Sequence, residues 1–108
     1  MTVQQLTERA GLKAIVLPDG DREITGVYIG DLLSWVMGRA KSGDAWLTIM
    51  SNQNIVAVAT LADTACIILV EDVQPDDGVA ALAEQKGINV IVSPHSAYET
   101  ALLLRDCL

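Results

Sequence analysis

Residues Ala65–Val92 read ACIILVEDVQPDDGVAALAEQKGINVIV, two aliphatic runs enclosing a stretch with helical spacing. Cys66-Ile67-Ile68-Leu69-Val70 is the short uncharged run of a strand covered on both faces. Pro75-Asp76-Asp77 predicts an acidic-started helix, with Pro in its first turn and carboxylates facing the positive end of the helix dipole. Val79, Leu82, Ala83 and Lys86 continue it, and Gly87 ends it before a second strand at Asn89–Val92. Two neighbouring strands joined by a helix are parallel, because a parallel pair needs a crossover of a dozen residues or more.

The same unit recurs on either side. Upstream, Ile24–Ile29 reads as a strand running through Gly30-Asp31 into a helix that carries Leu32, Leu33, Val36, Met37 and Ala40. Ser42-Gly43-Asp44 then breaks the chain before a strand at Trp46–Met50, and Ser51-Asn52 offers N-cap oxygens to a helix through Ile55, Val56, Ala59 and Leu61. Farther upstream, Thr2 and Gln5 have capping-box spacing before Leu6 and Ala10, Gly11 stops that helix, and Lys13–Leu17 is a strand closed by Pro18-Asp19-Gly20-Asp21. Downstream, Ser96 and Glu99 form a second capping box, opening a last helix along Ala97, Ala101, Leu102 and Leu104. Alternating strands and helices predict a three-layer α/β sandwich with a mostly parallel sheet of about five strands. At 108 residues this is a single domain spanning 1–108.

Composition removes several function classes. With 7 basic against 14 acidic residues the net charge is −7, which repels phosphate backbones and argues against nucleic-acid binding. The longest uncharged stretch, Ala45–Ala62, has Thr48, Ser51, Asn52, Gln53 and Asn54 in its middle and is no membrane span. Met1–Gln5 lacks the basic start and apolar run of a secretory signal, so a cytoplasmic location is expected. Cys66 and Cys107 have no C-x-x-C spacing and a single His for company, which gives neither a metal site nor a redox pair, and no cofactor is expected. The glycines form neither G-x-x-x-x-G-K-[ST] nor G-x-G-x-x-G, so a nucleotide-hydrolysing site of either type is not expected. His95, in Ser93-Pro94-His95-Ser96, can be a solvated turn residue, a ligand contact or a catalytic base.

The stretch Asp21-Arg22-Glu23-Ile24-Thr25-Gly26-Val27-Tyr28-Ile29-Gly30-Asp31-Leu32-Leu33-Ser34-Trp35-Val36-Met37 resembles the DRTGG domain family. Asp21, Arg22, Thr25, Gly26 and Gly30 follow the family's name in order, and the likeness extends through Thr48–Ser51 and Asn54–Ala59 to Ala97-Tyr98-Glu99. The resemblance implies a non-enzymatic regulatory module of the kind that accompanies CBS pairs in certain pyrophosphatases and phosphotransacetylase-like enzymes. It also implies a fold similar to the N-terminal domain of HPr kinase/phosphorylase, whose kinase activity lies in a separate P-loop domain that this sequence does not contain. A partner enzyme is the corresponding expectation. Physical roles that need no ligand also suit the motif. Gly26 lets another backbone approach, Gly30 permits a tight strand-to-helix turn, Asp31 caps the following helix, and Asp21 pairs with Arg22 or across a subunit boundary.

Two binding modes follow. Tyr28, Trp35 and Trp46 are exposed-looking aromatics suited to self-association, and a homodimer is expected. In an open parallel sheet ligands bind beyond the carboxyl ends of the strands. Two loops occupy that position before helix N-termini, the first carrying Ser51, Asn52 and Asn54, the second Ser93, His95 and Ser96. Their free N–H groups suit a nucleotide or other phosphate-bearing small molecule, although the same residues can simply cap their helices.

Overall fold

A computed structural model describes all residues, Met1–Leu108. The elements run α1 (Val3–Ala10), β1 (Lys13–Val16), β2 (Gly26–Ile29), α2 (Leu33–Arg39), β3 (Asp44–Thr48), α3 (Asn54–Ala62), β4 (Cys66–Leu69), α4 (Val79–Lys86), β5 (Val90–Val92) and α5 (Ala97–Cys107). The strands lie in the order β1-β5-β4-β3-β2. β2 through β5 are parallel, and β1 is antiparallel to β5 with a register shift between Ala14 and Val16.

Strand alternation sorts the core into two layers. Trp46, Ile67, Leu69, Val90 and Val92 pack beneath α2, α3 and α4 with Val36, Ile55, Val56, Ala59 and Ala83. Ala45, Leu47, Cys66, Ile68 and Ile91 face α1 and α5 with Val3, Leu6 and Leu104. β3, β4 and β5 are buried on both faces, which is why β4 and β5 are unbroken apolar runs and β3 shows no polar alternation. This is the expected three-layer α/β sandwich.

Local chemistry at the helix ends follows the sequence in four places. Thr2–Gln5 and Ser96–Glu99 are reciprocal capping boxes, and Gly11 and Gly87 close α1 and α4 in the left-handed conformation. It departs at α4. Asp76 and Asp77 lie before that helix, which begins at Val79 behind Gly78, because Ser51 donates to the Asp76 carboxylate at 2.8 Å and holds the segment across the sheet edge. The expectation of an exposed Trp46 also fails. Its ring is fully buried, with Nε1–H donating to the Gly30 carbonyl at 2.9 Å, whereas Trp35 is half exposed.

Asn89 joins the start of β5 to the turn after β1. Its Nδ2 donates to the carbonyls of Asp19 and Ala65, and its Oδ1 accepts from Asp19 N–H at 3.0 Å. A buried Asn that meets three backbone groups fixes the register of the antiparallel edge, because each of those groups would otherwise be desolvated without a partner.

Candidate functional site

The carboxyl ends of the four parallel strands converge on one edge of the sheet, which carries Asp31 after β2, Thr48–Asn54 after β3, Glu71-Asp72 after β4 and Ser93–Ser96 after β5. Both loops singled out from the sequence therefore lie on this edge. They do not touch. β4 separates β3 from β5, which places the loops two strand spacings apart, roughly 10 Å. Glu71 and Asp72 sit between them in the left-handed region, at φ 60 and 57. Their amides donate to the His95 and Ser93 carbonyls at 2.8 and 2.9 Å, so the turn is bonded to the β5 loop.

Most of the predicted ligand contacts already have partners within the chain. Asn52 Oδ1 accepts from Asn54 N–H at 2.9 Å and its carbonyl accepts from Ile55 N–H, so Asn52 braces the turn that leads into α3, whose N-cap Gln53 makes no side-chain cap, while Ser51 turns away to Asp76. Ser93 is fully buried and shares a 2.8 Å hydrogen bond with Thr100, which the sequence reading missed because a threonine in mid-helix carries no signal of its own. Ser96 caps α5. The imidazole of His95 is half-buried beside Glu99, Leu102 and Leu103 in a shallow depression of about 260 Å³. A second, more apolar groove of about 350 Å³ runs between α3 and α4, lined by Val56, Leu61 and Leu82, away from either loop.

The motif residues divide between the two ends of the sheet. Asp31 does not cap α2, whose first turn has no side-chain cap. Its carboxylate accepts instead from Thr48 Oγ1 at 2.8 Å and Ile49 N–H at 3.0 Å, tying β2 to the end of β3. Gly30 is not a left-handed turn residue. It leaves room for Tyr28, whose ring would lie 3.0 Å from a Cβ there. Gly26 makes room for a side chain and not a backbone, since a Cβ would lie 2.5 Å from the Asp44 carboxylate, a buried group that accepts from Lys41 N–H at 2.8 Å.

Arg22 lies at the opposite, amino-terminal edge. Its expected ion pair with Asp21 is replaced by one with Asp63, the residue that ends α3: Nη1 donates to Oδ1 at 3.1 Å and Nη2 to the Asp63 carbonyl at 2.9 Å. Ser42 Oγ–H donates to the other carboxylate oxygen. Arg22 thus fastens the segment before β2 to the negative end of α3, a favourable place for a cation. These hydrogen bonds from Arg22 and Ser42, with the charge of Arg22, hold the Asp63 carboxyl below the usual carboxylate range.

A lowered carboxyl pKa stabilises the fold fully above the unfolded-state value, about 4, and that contribution is lost as pH falls through the folded-state value. Asp63 is largely exposed, so solvent screening limits the pair to about 0–1 kcal/mol. Asn tolerates the left-handed conformation of Asp63, at φ 57. Asp63→Asn should therefore cost up to about 1 kcal/mol in urea unfolding at pH 7, and the difference from wild type should shrink towards pH 2. A cost that grew in acid would contradict this account.

Burial pushes the Cys66 thiol up to about 12 and removes it as a nucleophile at neutral pH. No group of three or more His, Cys, Asp or Glu side chains is arranged to hold a metal ion. No helix is long and apolar enough to cross a membrane.

The DRTGG domain family model matches residues 1–107. No curated protein matches the chain. Among solved structures, the fold is similar to the CBS and DRTGG domains of the regulatory region of Clostridium perfringens pyrophosphatase, complexed with the activator diadenosine tetraphosphate. The TM-score is 0.72 at 15% sequence identity, over 95% of this chain and 45% of that one. The present chain thus spans less than half the length of that region. With the family model matching from end to end, and with Arg22, Thr25, Gly26 and Gly30 each in a defined packing role, the chain belongs to the DRTGG domain family.

Proposed function

We propose that this chain is a non-catalytic regulatory module that self-associates, senses a nucleotide or related phosphate-bearing small molecule, and modulates a partner enzyme. The observation that carries the reading is that the DRTGG family model covers essentially the whole chain. A solved regulatory region of the same fold is complexed with a nucleotide activator, which favours a nucleotide over other small molecules.

The carboxyl edge of the sheet is the proposed ligand surface, with Asn54 and His95 as the side chains least engaged inside the fold and Asn52, whose Oδ1 is taken by Asn54 N–H, offering its Nδ2. Ser51, Ser93 and Ser96 shape the two loops around them. Glu71, Asp72 and Asp76 on the same edge set an electrostatic condition. A polyphosphate has to arrive with its charge neutralised, so binding is expected to require a divalent cation such as Mg²⁺.

The test is a thermal-shift panel of adenine and guanine mono- and dinucleotides, each with and without Mg²⁺. A ligand at 100 times its dissociation constant stabilises the fold by about 2.7 kcal/mol. For a domain of this size that is a rise of roughly 10 °C or more in Tm. The combined variant Asn52→Ala, Asn54→Ala and His95→Ala should abolish the shift. A shift of equal size in that variant moves the site elsewhere, and no shift at millimolar nucleotide removes the sensing role.

A further inference from the structure

The carboxyl edge of the sheet continues from the β5 loop onto α5 through the depression beside His95. Glu99, Leu102 and Leu103 fall at i, i+3 and i+4, on one flank of that helix, and His95 lines the same space from the loop. At about 260 Å³ the depression is smaller than the roughly 300–1,000 Å³ that encloses a whole drug-sized ligand, and it suits one flat ring system.

Its polar groups are held in place but not used up. Glu99 Oε1 accepts from Ser96 N–H at 3.3 Å and from Ser96 Oγ–H at 3.1 Å, which fixes the carboxylate within the capping box. Oε2 has no partner in the chain. His95 is anchored through its main chain, with its N–H donating to Ser93 Oγ at 3.2 Å and its carbonyl accepting from Glu71 N–H at 2.8 Å. Its imidazole makes no hydrogen bond within the chain. A fixed acceptor, an aromatic ring and two half-buried leucines therefore border one small space.

We propose that this depression is a guanine subsite, in which the base lies on Leu102 and Leu103 beside the His95 imidazole and donates its N1–H and 2-amino group to the Glu99 carboxylate. The inference rests on the nucleotide-sensing reading above and names the base. An ionised carboxylate can only accept hydrogen bonds. Guanine presents two adjacent donors on its pairing edge, and each pyrimidine offers one donor position there. Adenine sets its N1 lone pair beside the 6-amino donor, and that lone pair would face the carboxylate. Charge gives the nucleotide its direction. Glu99 repels phosphate, so the phosphates run from the depression along the carboxyl edge towards Asn54 and the Asn52 Nδ2. The two strand spacings between the loops match the reach of a nucleotide from its base to its terminal phosphate.

The test is isothermal titration calorimetry of GTP, inosine triphosphate and ATP, each with Mg²⁺, on wild type and Glu99→Gln. Glutamine also completes a capping box, so this variant should keep its circular dichroism and Tm near wild type while an amide nitrogen replaces the free carboxylate oxygen. Wild type should bind GTP at least about tenfold more tightly than ATP, the discrimination expected of a hydrogen bond to a charged group. Inosine triphosphate, which lacks the 2-amino group, should fall in between, a readout on the unaltered chain that needs no variant. Glu99→Gln should lose about tenfold for GTP and stay within about twofold of wild type for ATP. A structural role for Glu99 would weaken both nucleotides together. That outcome, equal affinity of wild type for GTP and ATP, or a GTP preference unchanged in Glu99→Gln would overturn the guanine subsite and leave nucleotide sensing standing. No binding of any of the three at millimolar concentration would overturn both.

Discussion

Replacing Gly43 by alanine is expected to destabilise the domain by about 1.5–3.5 kcal/mol, a sizeable share of the roughly 5–15 kcal/mol that holds a domain of this size together. Two causes add. Gly43 sits at φ 86 in the turn before β3, where a Cβ costs about 1–2 kcal/mol. That Cβ would also overlap Thr25 Oγ1, and because Thr25 is exposed the clash is relieved by turning its side chain off its present rotamer, at about 0.5–1.5 kcal/mol. The turn has little freedom to move away, because Gly43 N–H donates to the Asp63 carbonyl and the Gly43 carbonyl accepts from Thr25 N–H, both at 2.9 Å. The two causes separate in a double-mutant cycle. Thr25→Ala alone loses only a long 3.4 Å bond to the Ser42 carbonyl and should cost less than about 1 kcal/mol. Thr25→Ala combined with Gly43→Ala should recover the steric part, so that the double variant is more stable than Gly43→Ala alone. Urea unfolding of all four proteins measures the coupling, and additive losses would show that the overlap carries no energy.

Trp46→Ala should cost about 3–5 kcal/mol, while Trp35→Ala should stay within about 0.5 kcal/mol of wild type in the monomer. Trp46 is fully enclosed between β2, β4 and the helices above them, so its loss leaves a cavity and takes the Nε1–H donor from the Gly30 carbonyl. Trp35 is half exposed and packs mainly against Arg39. Trp46→Phe should fall between the two, since it refills most of the volume without restoring the hydrogen bond. Equal losses for the two alanine variants would contradict the assignment of core and surface tryptophan.

Trp46 also shows where reading the chain by pattern stops. Its strand, Asp44–Thr48, has no polar alternation because both faces are covered, so nothing in the local sequence says which side chains lie deep. Asp76 and Asp77 are the converse case. Pro-Asp-Asp is sound helix-start chemistry, and a contact from Ser51, 25 residues away in the chain, overrides it. The DRTGG motif was visible as a motif, but its chemistry was not. Arg22 takes Asp63 as its partner in place of the adjacent Asp21, and Gly26 is matched to Asp44, pairings across 41 and 18 residues.

The sequence by itself determined what depends on a few neighbouring residues. That covers the order of helices and strands, the two capping boxes, the left-handed glycines that stop α1 and α4, the parallel character of the central sheet, and the family. Short-range hydrogen bonds and hydrophobic period decide these, and both are written in consecutive residues. The tertiary structure alone decided that the two candidate ligand loops stand apart across β4 with carboxylates between them, that Asp31 and Asp76 bind neighbouring loops and do not start helices, and that Met1–Val3 pairs with Arg22–Ile24 at the β2 edge of the sheet. Each depends on which strands become neighbours, and that order comes from packing two apolar layers against one sheet, a property of the whole chain that no local stretch encodes.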